Sequence, residues 1–145
     1  PGQGMPMFDG DDLNRFVAQA SYLAFNDYEA KLMEERTGKG PEQLAREVKA
    51  VIVTRGGEGS TIYTRDNIYA IPSAAANRLV DPTGCGDAYR GGLIYGLQQG
   101  LDWDVTGRIA SLLGAIKIEH AGTQNHAVSR SDFDARFKET FGFEL

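Results

Sequence analysis

The chain has 145 residues, 41% hydrophobic and 24% charged, enough for one domain with a real core. A net charge of −5 and a pI near 5.0 argue against a nucleic-acid surface, which needs a basic patch. No apolar run approaches the ~20 residues that span a bilayer, no signal-peptide pattern is read at the start, and the single cysteine, Cys85, cannot form an intrachain disulfide, so a cytoplasmic protein is expected.

Residues 1–8, with Pro1, Gly2, Gly4 and Pro6, read as a loop. Asp9 to Asp12 offer N-caps for a helix carrying Leu13, Phe16, Val17 and Ala20 on one face. Tyr22-Leu23-Ala24-Phe25 suits a buried strand, and it meets a helix over 27–37 that Gly38 closes. Pro41 opens a short helix to Val48. The β-branched run Ala50–Thr54 is expected as a buried strand of a parallel sheet. Arg55–Ser60 forms a glycine-rich turn, and residues 61–64 and 67–71 bracket Arg65-Asp66 as a hairpin.

Residues 73–80 lead into Asp81-Pro82-Thr83-Gly84-Cys85-Gly86-Asp87, a loop feeding a helix that runs to about Gln99. Gly91, Gly92 and Gly96 lower the helix propensity, which predicts close packing of this helix against the sheet. Gly100 ends it. Asp102 is expected to cap a buried helix through Ile109, Leu112, Leu113, Ile116 and Ile118. After the loop His120–His126, an amphipathic helix over 131–141 turns Phe133, Phe137 and Phe141 to a core. The two histidines lack companions at metal-ligand spacing, so surface or capping roles are expected.

The chemistry concentrates at residues 81–87. Gly84, Cys85 and Gly86 are small, so a ligand can approach the backbone. The first N–H groups of a helix lack partners within it, and with the helix dipole they form an anion site. Asp87 stands where it could take a proton from a substrate hydroxyl while the amides hold a transferring phosphoryl group. The same residues also suit a plain glycine-rich helix start with an acidic first turn.

Asp81, Gly84, Gly86, Asp87, Tyr89 and Gly92 resemble the second signature of the ribokinase-like (PfkB) kinases, roughly D-T-x-G-A-G-D-x-F-x-x-G. Pro82-Thr83 and Cys85 depart from that pattern, with Cys85 still small. Two other stretches are similar to family motifs. Asn26-Asp27-Tyr28-Glu29 resembles N-x-x-E, which implies Asn26 near the phosphates and Glu29 organising Mg²⁺ through water; this spacing equally describes a helix N-cap. Thr54-Arg55-Gly56-Gly57-Glu58-Gly59 resembles the T-x-G-x-x-G nucleotide turn, implicating Thr54, Gly56, Gly57 and Gly59; a glycine-rich hairpin turn has the same look. The resemblance further implies that Gly122 to Asn125 flank the adenine, and that Asp81, Thr83 and backbone near this loop hold a monovalent cation such as K⁺.

The resemblance thus implies an α/β fold with three α/β/α layers, a mostly parallel sheet and a small hairpin, corresponding to the C-terminal half of a ribokinase-like kinase. The implied reaction moves the γ-phosphoryl group of ATP, with Mg²⁺, to a hydroxymethyl group. Asp87 is the base, and the N–H groups of Gly84, Cys85 and Gly86 hold the charge. The opening loop over 2–8, Gly91-Gly92 and Gly122-Thr123-Gln124 favour a nucleoside acceptor, with ribose or fructose as the alternative. Family members are about twice this length, so an N-terminal half, with most acceptor contacts, is an expected partner. Its absence predicts a poor kinase with an exposed sheet edge. Homo-oligomerisation is left open.

Other enzyme classes fit less well. The phosphate-loop pattern G-x-x-x-x-G-K-[ST], the protein-kinase motifs and the dinucleotide pattern G-x-G-x-x-G are all missing. A Cys85 nucleophile, with the depressed pKa of a thiol at a helix start, lacks a recognisable base. A non-catalytic nucleotide-binding module is the remaining alternative of a different class.

Overall fold

The computed structural model describes residues 2–145, so the expectation for Pro1 lies outside the described residues. Its elements are a 3-10 helix Gly2–Met7, α1 Gly10–Gln19, β1 Tyr22–Asn26, α2 Asp27–Thr37, α3 Pro41–Leu44, β2 Ala50–Thr54, a 3-10 turn Gly56–Glu58, β3 Ser60–Tyr63, β4 Ile68–Ile71, α4 Cys85–Gln98, α5 Trp103–Ile118 and α6 Arg130–Phe141. The expected opening loop is therefore a 3-10 helix that tolerates Pro6 inside it. The helix expected to reach Val48 stops at Leu44 and continues as irregular turns. The chain divides into two compact units, residues up to Gly56 with Ser60–Ala70, and Gly57–Gly59 with Ile71–Leu145.

In the first unit, Asp9 starts α1 because its carboxylate accepts the Asp12 N–H at 2.9 Å, satisfying an otherwise orphan donor. Leu13 and Val17 then fall on the buried face, while Phe16 stays partly exposed. β1 pairs with β2 in parallel, Tyr22 opposite Ala50 through Asn26 opposite Thr54. β2 pairs antiparallel with β3, and the sheet order is β1-β2-β3-β4. The sheet is mixed, not mostly parallel, because the hairpin supplies half of its strands. β1 has β2 as its only strand partner among the described residues. Met5, Leu13, Val17, Leu23, Phe25, Met33, Leu44, Val51 and Val53 share one core. Each fully buried aliphatic there contributes about 1.5–3 kcal/mol.

In the second unit, α4 and α5 lie unusually close. A Cβ on Gly92 would stand 2.5 Å from the Ala110 Cα, and one on Gly96 would collide with Thr106. Gly92 and Gly96 thus serve close packing, as their propensity cost predicts, and the neighbour they meet is α5. Gly91 faces open space. Asp102 occupies the N-cap position of α5 without capping it through its side chain. Ser129 does cap α6, accepting the Asp132 N–H. Phe133 and Phe137 of α6 pack with Ala74, Ile109, Leu112 and Ile116 of the same unit.

Candidate active site

The first unit gathers one set of candidate residues at the carboxyl ends of β1 and β2. Asn26 and Thr54 are register partners there, and the Thr54 hydroxyl donates to the Phe25 carbonyl at 3.3 Å. This end of a parallel pair is where open α/β sheets receive ligands. Asn26 and Glu29 form a reciprocal capping box: the Asn26 side chain accepts the Glu29 N–H at 2.7 Å, and Glu29 Oε2 accepts the Asn26 N–H at 2.9 Å. The helix-capping reading of this spacing is thus realised. It leaves Glu29 Oε1 without a partner among the described residues. No group of three His, Cys, Asp or Glu side chains suited to a metal occurs among the described residues. A divalent cation of the kind the family resemblance implies takes most of its ligands from phosphates and water. One partly exposed carboxylate, Glu29, fits an outer-sphere contact to such an ion.

Gly56 closes the same end of the first unit. Gly57 and Gly59 belong to the second unit, where Gly59 sits in the left-handed region at φ 89° against the Ile71 carbonyl. Gly59 is therefore demanded by the fold itself.

The second unit builds the start of α4. Gly84 holds the N-cap position at φ 86°, a conformation that disfavours any side chain. A Cβ there would also press on the Thr123 backbone at 3.0–3.2 Å. The Cys85 N–H donates to the Pro82 carbonyl and the Asp87 N–H to Gly84, each at 3.1 Å. The amides of Gly84 and Gly86 have no acceptor among the described residues. Two of the three expected amides are thus available to an anion, and the third closes the turn that presents them. Asp87 follows in the first turn, exposed and paired with Arg90 one turn on.

Asp81 straps this turn to the loop after α5. Its two carboxylate oxygens accept the Thr83 N–H at 2.9 Å and the Gly122 N–H at 2.8 Å. These bonds to Thr83 and Gly122, aided by the positive charge of Lys117, bring the Asp81 carboxyl down to about 2. Gly122 and Asn125 meet in that loop, where Asn125 Nδ2 donates to the Ala121 carbonyl at 2.9 Å. The second unit therefore brings Asp81, Thr83, Gly84, Gly86, Asp87 and Gly122 together.

Burial pushes the Cys85 thiol up, which removes the activated thiolate that a cysteine nucleophile requires. His120 bonds the Ile116 carbonyl through Nδ1 at 2.9 Å, a capping role.

Sequence reasoning missed Lys117, which is 0% exposed. Its ammonium donates to the Asp81 carbonyl at 2.7 Å and the His120 carbonyl at 3.1 Å. A lone charged residue between Ile116 and Ile118 in a buried helix was the available signal. Its position bears on the monovalent cation. The Asp81 carbonyl is taken by Lys117, and both Asp81 carboxylate oxygens are taken by amides. These residues do not fit the cation that the family resemblance implies.

Together these features define a ribokinase-like α/β chain with an anion-receptive helix start. The structure aligns at TM-score 0.96 with the Burkholderia thailandensis nucleoside kinase solved with inosine, at 52% identity over 100% of this chain and 49% of that one. The same protein solved with ADP-inosine aligns equally well. The chain is 34% identical to the nucleoside kinase of Methanothermobacter thermautotrophicus over 99% of this chain and 46% of that protein. The corresponding enzyme of Methanocaldococcus jannaschii is 31% identical over 87% of this chain and 42% of its own length. This chain belongs to the pfkB family of carbohydrate kinases, whose pattern matches residues 6–130. It spans about half or less of the length of these relatives.

Proposed function

We propose that the protein carrying this chain is an ATP-dependent kinase that phosphorylates the hydroxymethyl group of a nucleoside. The observation that carries this reading is Asp87, exposed in the first turn of α4 beside the two unengaged amides of Gly84 and Gly86. The likeness to nucleoside kinases, one of them solved with inosine and with ADP-inosine, supports the nucleoside as acceptor over a free sugar.

Asp87 takes the proton of the acceptor hydroxyl as its oxygen bonds to phosphorus and the bond to the ADP leaving group breaks. The Gly84 and Gly86 amides, with the α4 dipole behind them, bind the charge on the transferring group. Arg90 orients the Asp87 carboxylate between turnovers. Asn26, whose side-chain amide nitrogen stays available among the described residues, and Thr54 stand at the strand ends where the family resemblance implies the phosphates, and the same resemblance implies Gly56, Gly57 and Gly59 at the nucleotide. Gly122 and Asn125 border the adenine. Glu29 would hold the water shell of a Mg²⁺ ion through Oε1, and the ion would supply charge neutralisation for the phosphates. The remaining half of the family fold supplies most acceptor contacts. A cytoplasmic location suits an ATP-consuming enzyme with one free, half-buried thiol.

The test is phosphoryl transfer by the full protein from MgATP to inosine, adenosine, ribose and fructose. Transfer to a nucleoside that is abolished by Asp87→Asn, with nucleotide binding retained, is expected. Nucleotide binding without transfer to any acceptor would leave only a binding module.

A further inference from the structure

Lys117 is buried without a carboxylate in hydrogen-bonding contact, an arrangement that costs free energy unless its donors are well used. They are used on two main-chain carbonyls. One belongs to Asp81, just before the turn into α4. The other belongs to His120, just after α5. The distances of 2.7 and 3.1 Å bracket those of charge-assisted bonds. These carbonyls lie on the two segments that Asp81 and Gly122 also strap together. The ammonium thus pins both walls of the anion-receptive turn from behind.

An ammonium and a potassium ion are alike in charge, close in size, and both seek oxygen donors. A tethered ammonium is held without loss of binding entropy and cannot be diluted away. We infer that Lys117 Nζ is the resident cation of this end of the second unit, fixing the Asp81 and His120 carbonyls in place of a bound monovalent ion, so that the protein's stability and nucleotide binding are independent of potassium. The part concerning nucleotide rests on the kinase reading above; the part concerning the fold does not.

The experiment uses the full protein in N-methylglucamine chloride, with KCl exchanged in at constant ionic strength. The thermal midpoint and the affinity for MgADP are measured across the series. Both should stay flat. A saturable rise of either with potassium would overturn the inference, whatever the kinase assay shows. Lys117→Ala opens the ammonium's place, and Lys117→Met fills it without charge. The alanine variant should lose about ten- to hundredfold in MgADP affinity in N-methylglucamine and recover it saturably in KCl. The methionine variant should lose as much and recover nothing. Wild-type MgADP affinity for the alanine variant in N-methylglucamine would sink the inference. If neither variant folds, the potassium series on the unaltered protein decides.

Discussion

The Asp81 carboxylate accepts the Gly122 N–H at 2.8 Å and so ties the turn before α4 to the loop after α5. Its other oxygen holds the Thr83 N–H inside that turn. One side chain therefore sets both the shape of the turn and its distance from Gly122. Asp81→Ala frees both amides and is expected to lower the thermal midpoint and weaken MgADP binding together. Asp81→Asn keeps one oxygen acceptor and should be milder on both counts. Differential scanning fluorimetry and calorimetric titration of the two variants check this. Unchanged nucleotide affinity in the alanine variant would show that the strap does not shape the anion site.

Asp87 has no comparable structural duty. It is exposed, and its partner Arg90 is an exposed neighbour on the same helix. Asp87→Asn should therefore leave the fold intact and MgADP affinity within about threefold, because a surface ion pair contributes little. Turnover should fall by about 10²–10⁴, the contribution typical of a positioned base. Steady-state kinetics with MgATP and a nucleoside read this directly. An equal loss in binding and turnover would instead make Asp87 a ligand-positioning residue.

Much of this was legible because local chemistry and fold agree. Asp9 and Asn26 cap the helices they precede, and Gly38 closes its helix in the left-handed region. Asp87 lies in the first turn of α4, as the motif's spacing requires. What the sequence hid were partnerships distant along the chain. Gly92 and Gly96 announce a close neighbour without saying which, and the neighbour is Ala110 and Thr106 of α5. Asp81 meets Gly122 across 41 positions, and Lys117 reaches back 36 to the Asp81 carbonyl. Cys85 shows a competition that sequence cannot weigh: the helix start favours its thiolate, yet burial prevails.

The glycines of α4 offer a contrast within one helix. Gly91 faces open space, so Gly91→Ala should stabilise by about 0.5–1 kcal/mol through helix propensity. Gly92→Ala gains the same propensity but drives a methyl group to 2.5 Å from the Ala110 Cα. Overpacking of this kind costs about 1–3 kcal/mol, so the net effect is destabilising. Urea denaturation of both variants should move the midpoint in opposite directions. Two shifts of the same sign would mean that α4 and α5 separate at little cost.

Glu119 gives the second unit a sensitivity to acid. Arg136 holds it through its two terminal guanidinium nitrogens, at 2.5 and 3.0 Å, and the Asn77 N–H adds a bond at 2.7 Å. The Arg136 bonds dominate, and its carboxyl is held below the usual range near ~4.3. A depressed carboxyl binds fewer protons in the folded chain than in the unfolded one. Its contribution is thus complete above the unfolded value and disappears as pH falls through the folded one. Stability should therefore drop on acidification below about pH 4. Glu119→Gln removes the charge-assisted part of these bonds, about 1.5–3 kcal/mol at neutral pH, and should flatten that acid slope. Urea midpoints of both proteins at pH 7, 5, 4 and 3 decide it: parallel acid slopes would assign the loss to other carboxylates, Asp81 first among them.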